Sequence, residues 1–393
     1  MQQPARHLVF IDYLRGIAIL CVFLYHCLIA AYSVTSLPWN WLTRDFHGPW
    51  SFLALLPVHF GYIGVPIFFV VSGFCIHLSF EQQGRDWKYF FIRRFFRIYP
   101  AYLVAMLIFS YCCTNTAHDF WRQLGFHALL IHNYNPKTFF GLSGNFWAIA
   151  IEAQLYLLYP LLVLLVGKWG WKRTLICAAS CEILLHEWDA LVDLIAGHLG
   201  IPSMRLLIKV DWFVQGCLEP SPLAYWFSWS LGAVAADAFL KGRPMPLAKS
   251  STWFWVFLVV VSYFFLPLWP HFFLLSALLT TKVLGNFLSG QVSRTSAPNF
   301  WMKHLQLIGL WSYSVYLLHA PLLDFLTTLR QHYFPHLNSL IAFLGFAGSW
   351  LIIFPLAGIW YRILEQPGIA LGKRIIRKMM EKKLAIPANV SEG

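Results

Sequence analysis

The chain runs to 393 residues, 59% of them hydrophobic and only 12% charged, with a mean hydropathy of +0.60. A soluble globular domain carries about 25% charged residues, so this much apolar surface excludes a single water-soluble core and makes lipid the solvent for much of the chain. The net charge of +12 would suit a nucleic-acid binder, but its placement, below, speaks for membrane topology and against nucleic acid as a partner.

A helix needs about 20 mostly apolar residues to cross the hydrocarbon. By that rule ten spans are predicted, over roughly 8–32, 60–80, 98–113, 145–166, 174–196, 221–240, 251–267, 270–288, 305–327 and 339–362. The expected fold is an all-α polytopic transmembrane bundle. The first apolar run is too long for a cleavable signal and contains Asp12 and Arg15, so it reads as the first span. With the N-terminus in the cytoplasm, 20 of the 29 Lys and Arg lie in inner segments and six in outer ones. That asymmetry predicts an even number of spans and both termini cytoplasmic. The basic run KRIIRKMMEKK is predicted to be a cytoplasmic helix touching anionic lipid headgroups, which divides the chain into a transmembrane domain over 1–370 and a tail over 371–393. The longest non-membrane segments are about 30 residues, too short for a second soluble domain, so the chemistry is expected inside the bundle.

Ionisable residues within a span are costly and default to functional candidates. Span one, IDYLRGIAILCVFLYHC, carries Asp12, Arg15 and His26. At 100° per residue they share one stripe, and the helical rise puts Arg15 about 16 Å from His26 along the axis. Asp12 and Arg15 also read as a simple interfacial pair, while the depth of His26 favours function. In span two, Ser72 beside Gly73 reads as a helix break or as close packing. The cytoplasmic run WKYFFIRRFFRIYPAYL places Arg94 and Arg97 on one face, suited to a multi-phosphate ligand or to ordinary positive-inside anchoring. Span four, GNFWAIAIEAQLYLLYPLL, sets Glu152, Asn145, Tyr156 and Tyr159 on one face. There Glu152 can accept a proton from the His26 ring and orient it, as carboxylates do for catalytic histidines, or it can anchor helix packing. Span nine places Ser312, Tyr316 and His319 together, either as interhelical polar contacts or as substrate contacts. Neither the eight cysteines nor the outer histidines have metal-ligand spacing, so no metal is expected.

At these motifs the sequence resembles the acyltransferase 3 family of membrane enzymes that O-acylate carbohydrates. The carrying elements are Arg15 and His26 with ten residues between, VPIFFVVSGF in span two, Arg94 to Arg97 followed by IYP, and Phe146, Trp147 and Glu152 opening span four. SYSVYLLHAP and the closing LEQP also match, so the likeness covers residues 8 to about 370. It implies a ten-span enzyme of the bacterial plasma membrane. Acyl-CoA, commonly acetyl-CoA, serves as a cytoplasmic co-substrate with no tightly bound cofactor, and a carbohydrate hydroxyl accepts the acyl group at the outer face. His26 would be catalytic with Glu152 beside it; Arg15, Arg94 and Arg97 would serve the donor; Trp147, Tyr156, Ser312 and His319 would meet substrate. Members often carry two acidic residues in the span-four element, whereas Ala153 follows Glu152 here, which puts a two-carboxylate mechanism in doubt. Some members add a C-terminal esterase-like domain, for which this chain has no room. A proton-coupled exporter of polysaccharide precursors would use a midplane His and carboxylate equally well, although the paired broken helices of such transporters are not evident.

Overall fold

Backbone groups in lipid must find their hydrogen bonds within the protein, and helices do so locally. The structure, a computed structural model, describes residues 8–32, 55–113, 117–188, 220–290 and 299–384, and its described elements are all helical. In chain order these include α1 (Val9–Tyr32), α2 (Gly64–Gln82), α3 (Trp87–Cys113), α4 (Ala117–Ala128), α5 (Phe146–His186) and α6 (Trp226–Leu240). There follow α7 (Thr252–Phe264), α8 (Phe272–Leu288), α9 (Phe300–Leu310), α10 (Ser312–Tyr333), α11 (Ser339–Gly348), α12 (Trp350–Trp360) and α13 (Gln366–Leu384). Seven stretches among the described residues are long and apolar enough to cross a membrane, which makes the protein a membrane helical bundle.

Several boundaries differ from expectation. The third predicted span begins earlier, because helix α3 starts at Trp87 and carries the whole arginine run within it. The fourth and fifth spans form one 41-residue stretch, α5, whose two arms meet at Gly170 (φ 76°, ψ 167°). That conformation is open to glycine and strained for other residues, and it falls in the basic segment predicted between the two spans. The ninth span is largely α10; its serines, tyrosines, His319 and Asp324 leave it less apolar than the seven. The boundary expected after residue 370 falls inside α13, which follows α12 through a π turn at Tyr361–Glu365 and packs against α3. The fifth span beyond residue 188, the outer segments around Arg44 and Arg205, and tail residues 385–393 lie outside the described residues.

Helix α1 packs against α2, α9, α10 and α11, so its polar stripe faces protein. Its neighbour α2 is gripped in turn by α6. Gly73 lies against the Trp229 carbonyl and Gly232 against the Val70 carbonyl, so that neither position has space for a methyl group. Small residues let membrane helices approach this closely. Close packing, not a break, is therefore the role of Gly73, and α2 runs unbroken through it. Replacing Gly232 by alanine is expected to destabilise the bundle by about 1–3 kcal/mol through overpacking. Thermal unfolding in detergent should show the loss, whereas Gly125→Ala, whose added methyl meets nothing within 4 Å, should leave the midpoint in place.

Candidate active site

A solvent-open cavity gathers Arg15 from α1, Arg94 and Arg97 from α3, Glu152 and Tyr156 from α5, and Ser312 from α10. The sequence had singled out all six, on four separate segments, and the bundle brings them together. Arg15 donates to Cys75 Sγ at 3.3 Å and lies 3.6 Å from the Asp12 carboxylate. Arg94 donates to Ser79 Oγ at 3.0 Å, with its guanidinium 5.8 Å from the Phe90 ring centre. Arg97 lies in the field of Glu365, a buried carboxylate that accepts from Ser314 Oγ at 2.9 Å. Among the described residues, three guanidinium groups therefore line the cavity with one carboxylate, Glu152. In a poorly screened interior such an imbalance draws anions, and guanidinium forks match phosphate oxygens.

A chain of donors ends on Glu152. Trp229 Nε1 donates to Ser72 Oγ at 3.3 Å, Ser72 Oγ lies 3.4 Å from the Tyr156 hydroxyl, and that hydroxyl donates to Glu152 Oε1 at 2.6 Å. Because the carboxylate accepts only, the protons all point the same way along this chain. Glu152 thus holds the wall of the arginine cavity. Its hydrogen-bond partner is Tyr156 and that of His26 is the Val22 carbonyl.

His26 lines a different cavity, of about 820 Å³, together with Trp147, Tyr62 and Tyr225. The two spaces adjoin, sharing Val65 and Tyr316 as lining residues. Tyr316 is clamped there: its hydroxyl donates to the Asn145 carbonyl at 2.9 Å, and the Asn145 side-chain amide donates back to the Tyr316 carbonyl. The orienting partners of His26 are a backbone carbonyl and a second histidine. His26 Nδ1 lies 2.8 Å from the Val22 carbonyl and 3.4 Å from His319 Nε2. A carbonyl only accepts, so Nδ1 carries the hydrogen and Nε2 keeps its lone pair. His319 is held in the same tautomer, with its Nδ1 3.1 Å from the carbonyls of Val315 and Tyr316. It is fully buried and lines neither cavity, with its Nε2 turned toward the His26 ring. Trp147 does face the His26 cavity, with its ring 5.8 Å from that of Tyr225.

Sequence reasoning missed Tyr62 and Tyr225, since a lone aromatic residue carries no marker, and it took Val65 only as part of VPIFFVVSGF. It also missed the role of Val22, because a backbone carbonyl leaves no trace in side-chain chemistry. Glu365 had a usable signal, as the acid of the LEQP motif just past the last predicted span. Glu182, which loads the fifth predicted span, accepts from the Ser228 backbone N–H at 2.9 Å and so caps the start of α6. Among the described residues no three His, Cys, Asp or Glu side chains gather closely enough to hold a metal ion.

Comparison with known proteins finds the acyltransferase 3 model, described as an acyltransferase domain, over residues 8–357. The peptidoglycan O-acetyltransferase OatA of Listeria monocytogenes is 25% identical over 381 residues, covering 91% of this chain and 55% of that protein. Nodulation protein 10 of Rhizobium leguminosarum bv. viciae is 26% identical over 237 residues, covering 50% of this chain and 63% of that one. The acyltransferase MdmB of Streptomyces mycarofaciens is 32% identical over 128 residues, covering 30% and 33%. The chain spans about half the length of several of the curated relatives it matches. No solved structure matches.

Proposed function

The chain belongs to the acyltransferase 3 family, and on that premise we propose that it moves an acetyl group from acetyl-CoA to a hydroxyl of a glycan. The observation that carries this reading is the adjoining pair of cavities, one lined by Arg15, Arg94 and Arg97 and the other by His26, meeting at Val65 and Tyr316. The donor's phosphates bind the arginines from the cytoplasmic side. Its pantetheine arm runs past Ser312 and Tyr156 toward Tyr316, and the thioester reaches His26 from below. The about 16 Å between Arg15 and His26 along α1 suits such an extended arm. The glycan enters the His26 cavity from the outer side, where Trp147 offers it an aromatic face. Both termini then lie in the cytoplasm and ten helical segments traverse the bacterial plasma membrane. The names of the peptidoglycan O-acetyltransferase relatives favour an amino-sugar glycan as acceptor, and the family favours an enzyme over an exporter.

The chemistry follows from the tautomer. His26 Nε2 takes the proton of the acceptor hydroxyl as its oxygen attacks the thioester carbonyl. The resulting imidazolium shares its Nδ1 hydrogen between the Val22 carbonyl and His319 Nε2. The tetrahedral adduct collapses with cleavage of the C–S bond, and the proton on Nε2 passes to the departing thiolate. Ester and free CoA leave on opposite sides. Glu152, by fixing Tyr156, shapes the donor's path and offsets part of the arginine charge.

The test is direct. Purified protein in nanodiscs, given acetyl-CoA and a soluble fragment of β-1,4-linked N-acetylglucosamine, is expected to release CoA thiol and yield an acetyl ester visible by mass spectrometry. Thiol release that does not respond to the sugar, with no ester formed, would sink the proposal.

A further inference from the structure

A third recess, of about 780 Å³, adjoins the His26 cavity and has no part in the transfer described above. Tyr25, Tyr62 and Tyr225 line both spaces, so the three rings stand along the border the two share. Beyond that border the recess is faced by Trp269, from the turn before α8, and by His186 at the end of α5. The Trp269 ring lies 6.5 Å from that of Tyr62 at only 29° from parallel, giving two similarly inclined aromatic surfaces. His186 Nδ1 lies 2.8 Å from the Glu182 carbonyl, so it carries the hydrogen and Nε2 is left as an acceptor. The two sides of the recess are joined next to these residues, where His271 Nε2 lies 2.9 Å from a Glu187 carboxylate oxygen. None of the described residues that line the recess is Lys, Arg, Asp or Glu.

We propose that this recess is a second sugar subsite, and hence that the acceptor is an oligosaccharide, not a single sugar. One ring presents its hydroxyl to His26 while the neighbouring ring lies over Trp269 and Tyr62. The inference rests on the glycan reading above and deepens it. The C–H face of a pyranose carries partial positive charge and an aromatic face negative charge, so the two attract when stacked. A sugar hydroxyl donates to His186 Nε2. The described lining, which carries no Lys, Arg, Asp or Glu, favours a neutral ring over a phosphorylated or carboxylated one. A lipid tail is the competing occupant, but it has no use for the half-buried acceptor nitrogen of His186 and gains nothing specific from flat rings.

The experiment compares kcat/KM for acetyl transfer to N-acetylglucosamine and to its β-1,4-linked tetramer. Wild type should prefer the tetramer by about two- to tenfold, the value of one stacked ring. In Trp269→Ala the preference should shrink toward one, and Trp269→Tyr, which restores an aromatic face, should recover most of it. Should Trp269→Ala not fold, His186→Leu reads the same ratio and is expected to lower it severalfold. A wild-type ratio near one, or a ratio unchanged in the folded variants, overturns the subsite. Absence of transfer to either sugar by the wild type overturns the glycan reading beneath it and the subsite with it.

Discussion

Replacing His26 by alanine is expected to slow acetyl transfer by about 10²- to 10⁴-fold, the usual contribution of a positioned general base, with little change in KM for acetyl-CoA. The donor's phosphates bind in the neighbouring cavity, so donor affinity and proton removal separate. His319→Leu should cost less, about tenfold in kcat. It leaves the Val22 carbonyl to hold the tautomer but takes away the ring 3.4 Å from Nδ1 that shares the charge of the imidazolium. Steady-state transfer of labelled acetyl gives both numbers. A His26→Ala protein retaining a tenth or more of wild-type kcat would mean that another group removes the proton. Equal losses in the two variants would mean that the histidines act as one packed unit.

Arg97→Ala should act on the donor instead. A guanidinium bound to a phosphate is worth about 1.5–3 kcal/mol, so KM for acetyl-CoA should rise about 10- to 100-fold while kcat changes little. Arg97 is the better choice than its neighbours for this test. Arg94 is engaged with Ser79 and Arg15 with Cys75 and Asp12, so removing either also disturbs packing. Acetyl-pantetheine, which has the thioester but no phosphate, supplies the internal control. Wild type and Arg97→Ala should use it equally well. If the variant is as impaired with acetyl-pantetheine as with acetyl-CoA, Arg97 serves the fold through Glu365 and not the donor.

Much of the site was legible because membrane burial makes polar residues expensive. Arg15, Glu152 and His26 stood out against apolar runs, and helical spacing put Arg15 and His26 on one stripe of α1. The arginines of α3 were visible as a cluster. Their engagement with a cavity was not, since anchoring at a membrane interface has the same composition. Tyr62, Tyr225 and Trp269 were hidden for a different reason. With aromatics at 18% of the chain, no single ring is distinctive, and only the cavities pick out those that face empty space.

By itself the sequence determined the solvent, the helical class and the inward-facing stripe of α1. Hydropathy and a period of 3.6 residues are local properties, and they decide which way a side chain points on its own helix. Tertiary structure decided who faces whom. His26 and His319 are 293 positions apart, and nothing in either helix's own periodicity says which partner its face will meet. The packing of α1 against α10 assigned His26 to His319, and that of α2 against α5 and α6 set Ser72 between Tyr156 and Trp229. Close approach between helices depends on small residues and on the sum of many side-chain shapes, and that sum exists only once the bundle has formed.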